Sequence, residues 1–127
     1  MAIEFLTIED VLHIHQNQIE RYGGEHGVRD LGLLVSAIAQ PEATFGGQHL
    51  HSDLFAMAAA YLFHIVQNHP FADGNKRTGA VSALVFLDWN EVVLRTDEEG
   101  LVEITLQVAT GQIGKAEVAA HFRSLVG

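Results

Sequence analysis

Between Leu54 and Val66 the chain reads Leu-Phe-Ala-Met-Ala-Ala-Ala-Tyr-Leu-Phe-His-Ile-Val, apolar on nearly every side of a helical projection, with His64 the exception. A helix of that kind has no face to give to water, so it predicts the buried central element around which the others pack. The run is too short to cross a bilayer. Ser52 is its expected N-cap. Pro70 bounds it at the far end, because proline disfavours helical geometry at the preceding residue, here His69.

The rest of the chain supplies helices to surround it. Thr7 and Asp10 predict an N-cap and acidic first turn, followed by a face of Val11, Leu12, Ile14, Gln18, Ile19 and Tyr22 that Gly23-Gly24 stops. Asp30 predicts the cap of a second helix through Ala39, closed by Pro41. Glu42 to Leu50, with Gly46-Gly47, reads as a loop or mobile flap. A helix from about Asn75 to Trp89 carries Ala80, Ala83, Leu84 and Leu87 on one face. Glu91 to Thr96 is an extended connector, Asp97 opens a helix that Gly111 closes, and Lys115 to Leu125 forms the last. The expectation is an all-α fold: one domain over residues 1–127, about six helices around a buried central one, with a short extended flap or connector.

Composition narrows the function. With no cysteine, disulfides and thiolate metal sites are excluded. A net charge of -9 argues against nucleic-acid and anionic-membrane partners, which want a basic face. Met1-Ala2-Ile3-Glu4 lacks the basic-then-apolar layout of a signal peptide, so the expected location is the cytoplasm.

Chemistry concentrates in His69-Pro70-Phe71-Ala72-Asp73-Gly74-Asn75-Lys76-Arg77-Thr78-Gly79, an elbow between two apolar helices. Asp73-Gly74 followed by a helix start offers free backbone N–H groups pointing one way, which suits an anion. Lys76 and Arg77 fall in the first helical turn, where the macrodipole is already positive and cations are disfavoured. A phosphate would satisfy the N–H groups, the dipole and both cations together. Asp73 supplies a hard oxygen for Mg²⁺ bridged to a nucleotide. His69 can act as a base at neutral pH, and Phe71 is the expected anchor of the loop. Base, metal ligand and anion cradle together predict phosphoryl or nucleotidyl transfer. A purely structural reading of the same residues makes Asp73 an N-cap, Gly74 a turn residue, and Lys76 and Arg77 a solvated face. The segment is not a Walker A loop, because Gly74-Asn75-Lys76 has the wrong spacing.

These residues resemble the signature of the Fic/Doc family, His-Pro-Phe-x-Asp/Glu-Gly-Asn-Gly-Arg-x-x-Arg, at His69, Pro70, Phe71, Asp73, Gly74, Asn75 and Arg77. The resemblance extends over Arg21-Tyr22-Gly23-Gly24, over Arg29 to Leu34, and over Phe86-Leu87. Asn75-Lys76-Arg77-Thr78 is similar to the death-on-curing (Doc) toxin branch. Lys76 replaces the signature's second glycine and Ala80 its second arginine, whereas Pro70 and Gly74 follow the Fic pattern rather than the Doc one.

The resemblance implies a Fic-fold transferase using ATP and Mg²⁺. His69 would be the base that activates a target hydroxyl, and Asp73 would hold Mg²⁺. Gly74 and Asn75 would form the anion cradle, with Lys76 and Arg77 on the phosphates. The Glu42–Leu50 flap would align the target segment. For the Doc branch the implied reaction is transfer of the γ-phosphate to a threonine of elongation factor Tu, which stops translation; for Fic enzymes it is transfer of AMP. A third possibility, a module that binds nucleotide or a partner without catalysis, stays open. No Ser or Thr is followed four residues later by Glu, so the self-inhibitory motif of Fic proteins is missing and the implied restraint is an antitoxin acting in trans.

The remaining histidines predict no metal site. His13 and His15 point roughly 200° apart on a helix. His49 and His51 lack further ligands, His26 and His121 suggest nothing, and His64 reads as a hydrogen-bonded core residue. Phe55, Tyr61 and Phe63 read as core.

Overall fold

The computed structural model describes residues 2–127 and is all-α apart from one tiny hairpin. In chain order the elements are α1 (Ile8–Tyr22), α2 (Leu31–Ala39), β1 (Thr44–Phe45), β2 (Gln48–His49), α3 (Leu54–Asn68), α4 (Asn75–Trp89), α5 (Glu98–Ala109) and α6 (Lys115–Ser124). The two strands pair antiparallel with Phe45 opposite Gln48, so the expected flap is a hairpin.

The apolar run around Leu54–Val66 is the centre of the fold. Helix α3 packs against α2, α4, α5 and α6, which is why no side of it is polar, and α1 packs on α4 and α2. Met57 through Leu62, Ile65 and Val66 are all buried on it. The α3–α4 crossing is close: a Cβ on Gly79 would lie 3.0 Å from a Val66 methyl and 3.2 Å from the Leu62 carbonyl oxygen. Tyr61 is fully buried, and its hydroxyl accepts the Leu6 N–H at 2.8 Å. Among the described residues no helix is long and apolar enough to cross a membrane.

One cap differs from the sequence reading. Asp53, not Ser52, caps α3, its Oδ1 accepting the Ala56 N–H at 2.8 Å. Ser52 lies one residue too early to reach that turn. Helix α3 runs to Asn68 and so ends before His69-Pro70 as expected, with His69 closing it in the left-handed conformation (φ 50°, ψ 53°). Pro70 restricts only His69, so the preceding turn completes itself. Gly111, left-handed (φ 76°), closes α5 as expected, its N–H reaching the Val108 carbonyl at 3.1 Å. The connector expected over 91–96 begins with a left-handed turn at Glu91 (φ 65°), and Leu94 pairs with Val126 in an isolated antiparallel bridge.

Candidate active site

The elbow between α3 and α4 is fixed from within by two buried side chains. Phe71 is fully buried and anchors the loop. Asn75, 5% exposed, turns its amide back over the loop. Its Oδ1 accepts the Phe71 N–H at 2.9 Å and its Nδ2 donates to the Phe71 carbonyl at 3.0 Å. What Asn75 leaves for an anion is therefore its backbone N–H, not its side chain.

A strap formed by residues 24–30 ties the elbow from outside. The Arg29 and Asp30 N–H groups both donate to the Pro70 carbonyl, at 2.7 and 3.0 Å, and the Ala72 N–H donates to the Gly27 carbonyl at 3.0 Å. Arg29 donates from Nε to the His69 carbonyl at 2.8 Å and from Nη2 to that of Asn68 at 3.2 Å. A cation at the carbonyl end of α3 complements its dipole and holds His69 in its left-handed turn. A non-glycine residue in that conformation is strained and persists only where its surroundings impose it.

Helix α4 then begins without a side-chain cap. Gly74 is its N-cap (φ 79°), and the first intrahelical bond runs from the Thr78 N–H to the Gly74 carbonyl at 2.9 Å. The N–H groups of Asn75, Lys76 and Arg77 consequently have no acceptor within the helix. Asp73 does not fill the gap: its exposed carboxylate accepts the Glu25 N–H (3.3 Å) and the Gly74 N–H (2.9 Å) instead. Those two bonds, then Arg77 and Lys76, hold its carboxyl below the usual carboxylate range. The strap comes so near that a Cβ on Gly24 (φ 116°) would stand 2.8 Å from Asp73 Oδ2.

Lys76 is exposed, and among the described residues it has no carboxylate partner. Arg77 faces the end of α1 instead: it donates to the Gly23 carbonyl at 2.9 Å and lies over the Tyr22 ring at 5.3 Å. Ala80 is buried, so no second cation follows one turn on. His69 and Asp73, at either end of the elbow, are both exposed.

One residue of this assembly escaped the sequence reading. His15 of α1 stacks on Phe71, with ring centroids 3.8 Å apart and planes 6° from parallel, and its Nε2–H donates to the Asp73 carbonyl at 2.8 Å. Its pKa is held below the usual value chiefly by burial. His13 is exposed, so the two do diverge. Half-buried His64 meets Lys115, with Nε2 and Nζ 3.1 Å apart, and burial together with that cation pushes its pKa down to about 4.

Among the described residues no three His, Asp or Glu side chains gather to enclose a metal. An ionised, exposed carboxylate beside an open helix N-terminus does fit Mg²⁺ whose other ligands are phosphate and water. A concavity of about 650 Å³ shares no residue with the elbow. Glu98, Glu99 and Glu103 line it, and their charge would repel a phosphate.

Comparison with known proteins agrees with the elbow. A family model described as the Fic/DOC family matches residues 5–87, a span that holds α1, the strap, the hairpin, α3 and the elbow. The chain is 37% identical over 122 residues to the protein kinase doc of Escherichia phage P1, covering 96% of this chain and 95% of that one. It is 44% identical over 120 residues to toxin Doc of Mycolicibacterium smegmatis (strain ATCC 700084 / mc(2)155), covering 93% and 90%. The chain belongs to the Fic/DOC family.

Proposed function

We propose that this protein is a Doc-like toxin of a toxin–antitoxin system, a kinase that transfers the γ-phosphate of ATP to a Ser or Thr hydroxyl of another protein. The observation that carries the reading is the uncapped start of α4, where three N–H groups and the unpaired Lys76 stand beside Asp73 and across the loop from His69. The kinase name of the phage P1 relative and the toxin name of the mycobacterial one support it. The protein target we propose is elongation factor Tu, whose phosphorylation would stop translation. Restraint would come from an antitoxin bound in trans, and the cell compartment would be the cytoplasm.

In this reading the γ-phosphate rests on the N–H groups of Asn75, Lys76 and Arg77, with the Lys76 ammonium over it. Asp73 would hold Mg²⁺, which when bound neutralises charge on the phosphate oxygens. His69 accepts the proton of the target hydroxyl as that oxygen bonds to the γ-phosphorus. The bond from that phosphorus to the β–γ bridging oxygen breaks, and ADP leaves with its electrons. His69 reaches outward because its left-handed turn carries the side chain off the end of α3.

The test uses purified protein, Mg²⁺, a bacterial lysate and ATP labelled at the α- or γ-phosphate, with His69→Ala beside each. Label from γ-ATP alone on a band the size of elongation factor Tu, lost in His69→Ala, is expected. Label from α-ATP would make the enzyme an adenylyltransferase instead. Nucleotide binding with no label from either position would leave a binding module.

A further inference from the structure

His15 occupies a position where an aliphatic residue would be the ordinary choice. It lies four residues after Val11 and four before Ile19, on the buried stripe of α1, and is itself 4% exposed. Its ring nevertheless meets three residues of the elbow. One face stacks on Phe71, and Nε2 lies 2.8 Å from the Asp73 carbonyl oxygen. A Cβ on Gly74 would lie 3.7 Å from its Nε2 and Cδ2. A carbonyl can only accept, so Nε2 carries the proton.

The peptide that His15 grips is the hinge of the site. The Asp73 carbonyl and the Gly74 N–H belong to one rigid plane. That same N–H donates to Asp73 Oδ1, and Gly74 is the N-cap of α4. Rotating the plane would swing the carboxylate and the first N–H groups of the helix together. Phe71 fixes the ring on one side, so the ring can fix the plane.

We infer that His15 is a positioning residue for the phosphate cradle, its Nε2–H bond to the Asp73 carbonyl setting the direction of the Asp73 carboxylate and of the α4 N-terminus. This rests on the elbow being the site of phosphate transfer. The ring is faced by His26 from the strap, Asp73 from the elbow and Arg77 from α4. The Asp73 carbonyl requires the Nε2–H form of the ring.

The experiment compares wild type, His15→Leu and His15→Gln in the labelled-ATP assay, with urea unfolding and imidazole ¹⁵N NMR alongside. A glutamine amide can present an N–H where Nε2 stands; leucine fills the space without one. The leucine variant should lose kcat by about 10- to 100-fold, the range for partners that orient a reacting group. Its KM for the protein target should stay unchanged, and the glutamine variant should recover most of the rate. NMR should find His15 as the Nε2–H tautomer. A folded leucine variant with wild-type kcat, a folded glutamine variant as slow as leucine, or the Nδ1–H tautomer would each overturn the proposal. If the leucine variant fails to fold, the glutamine variant decides alone, since only the donor would then distinguish an active site from an idle one. No label in the wild type sinks the functional reading and this proposal with it, whereas normal label in His15→Leu sinks the proposal only.

Discussion

Two connections lead into and out of α3, and they are built in opposite ways. At its C-terminal end, the elbow around residues 69–74 takes its hydrogen bonds from distant parts of the chain, His15 of α1 and the strap, and from the amide of neighbouring Asn75. At its N-terminal end, the hairpin around Thr44–His49 bonds to itself, with two-residue strands and a Leu50 N–H to Ala43 carbonyl bond of 2.8 Å. Phe71 of the elbow is fully buried, whereas Phe45 of the hairpin is 84% exposed. A connection satisfied by distant partners cannot shift without breaking them; one satisfied locally can move as a unit. Transfer chemistry needs the first kind, since a displacement on the order of 1 Å can cost 100-fold in rate. A surface that adapts to a protein target is served by the second.

Asn75→Ala attacks the contrast where it is strongest. It leaves the Phe71 N–H and carbonyl without side-chain partners in a buried setting, and should cost about 3 kcal/mol in urea unfolding. A loss below about 1 kcal/mol would mean that the elbow is no more dependent on its bonds than an ordinary loop.

Acid offers a finer probe. His15 and His64 both have folded pKa values below the ordinary 6.5, that of His64 at about 4. The unfolded chain therefore takes up their protons first, and stability falls as pH drops from about 6.5 toward about 4. Protection factors for hydrogen exchange at Phe71 and Ala72, taken relative to the intrinsic rate at each pH, should fall over that window in wild type and less so in His15→Gln. Stability that stays flat from 6.5 to 4 would remove the elbow's acid sensitivity from the comparison.

Phe45→Ala tests the other side and should move stability least, within about 0.5 kcal/mol. If the hairpin aligns a protein target, KM for that target rises while the affinity for Mg-ATP holds. A variant that unfolds readily would show the hairpin to be structural after all.

Much of this was written in local patterns. The span Asn75–Trp89 is legible to the residue because Gly74 can adopt φ 79° and begin a helix there. Likewise the central helix follows from an apolar surface that four neighbours then cover. His69, Asp73 and Lys76 could be picked out because they share one elbow. The strap could not, since its bonds to Pro70 and Ala72 span some forty residues and leave no spacing for sequence to show. Asn75 and Arg77 were found as residues, but where their side chains turn depends on Phe71, Gly23 and Tyr22. His15 did leave a trace: a histidine in register with Val11 and Ile19 on a buried stripe needs a polar partner, and only the folded chain supplies it.

The left-handed turn of His69 joins the proposed base directly to the last hydrogen bond of α3, its N–H reaching the Ile65 carbonyl at 3.2 Å. Opening that turn frays the most buried helix of the molecule, so the site and the core belong to one cooperative unit. A protease that cuts at the elbow must therefore wait for the core to open, and inactivation by heat should coincide with the loss of helical signal rather than precede it.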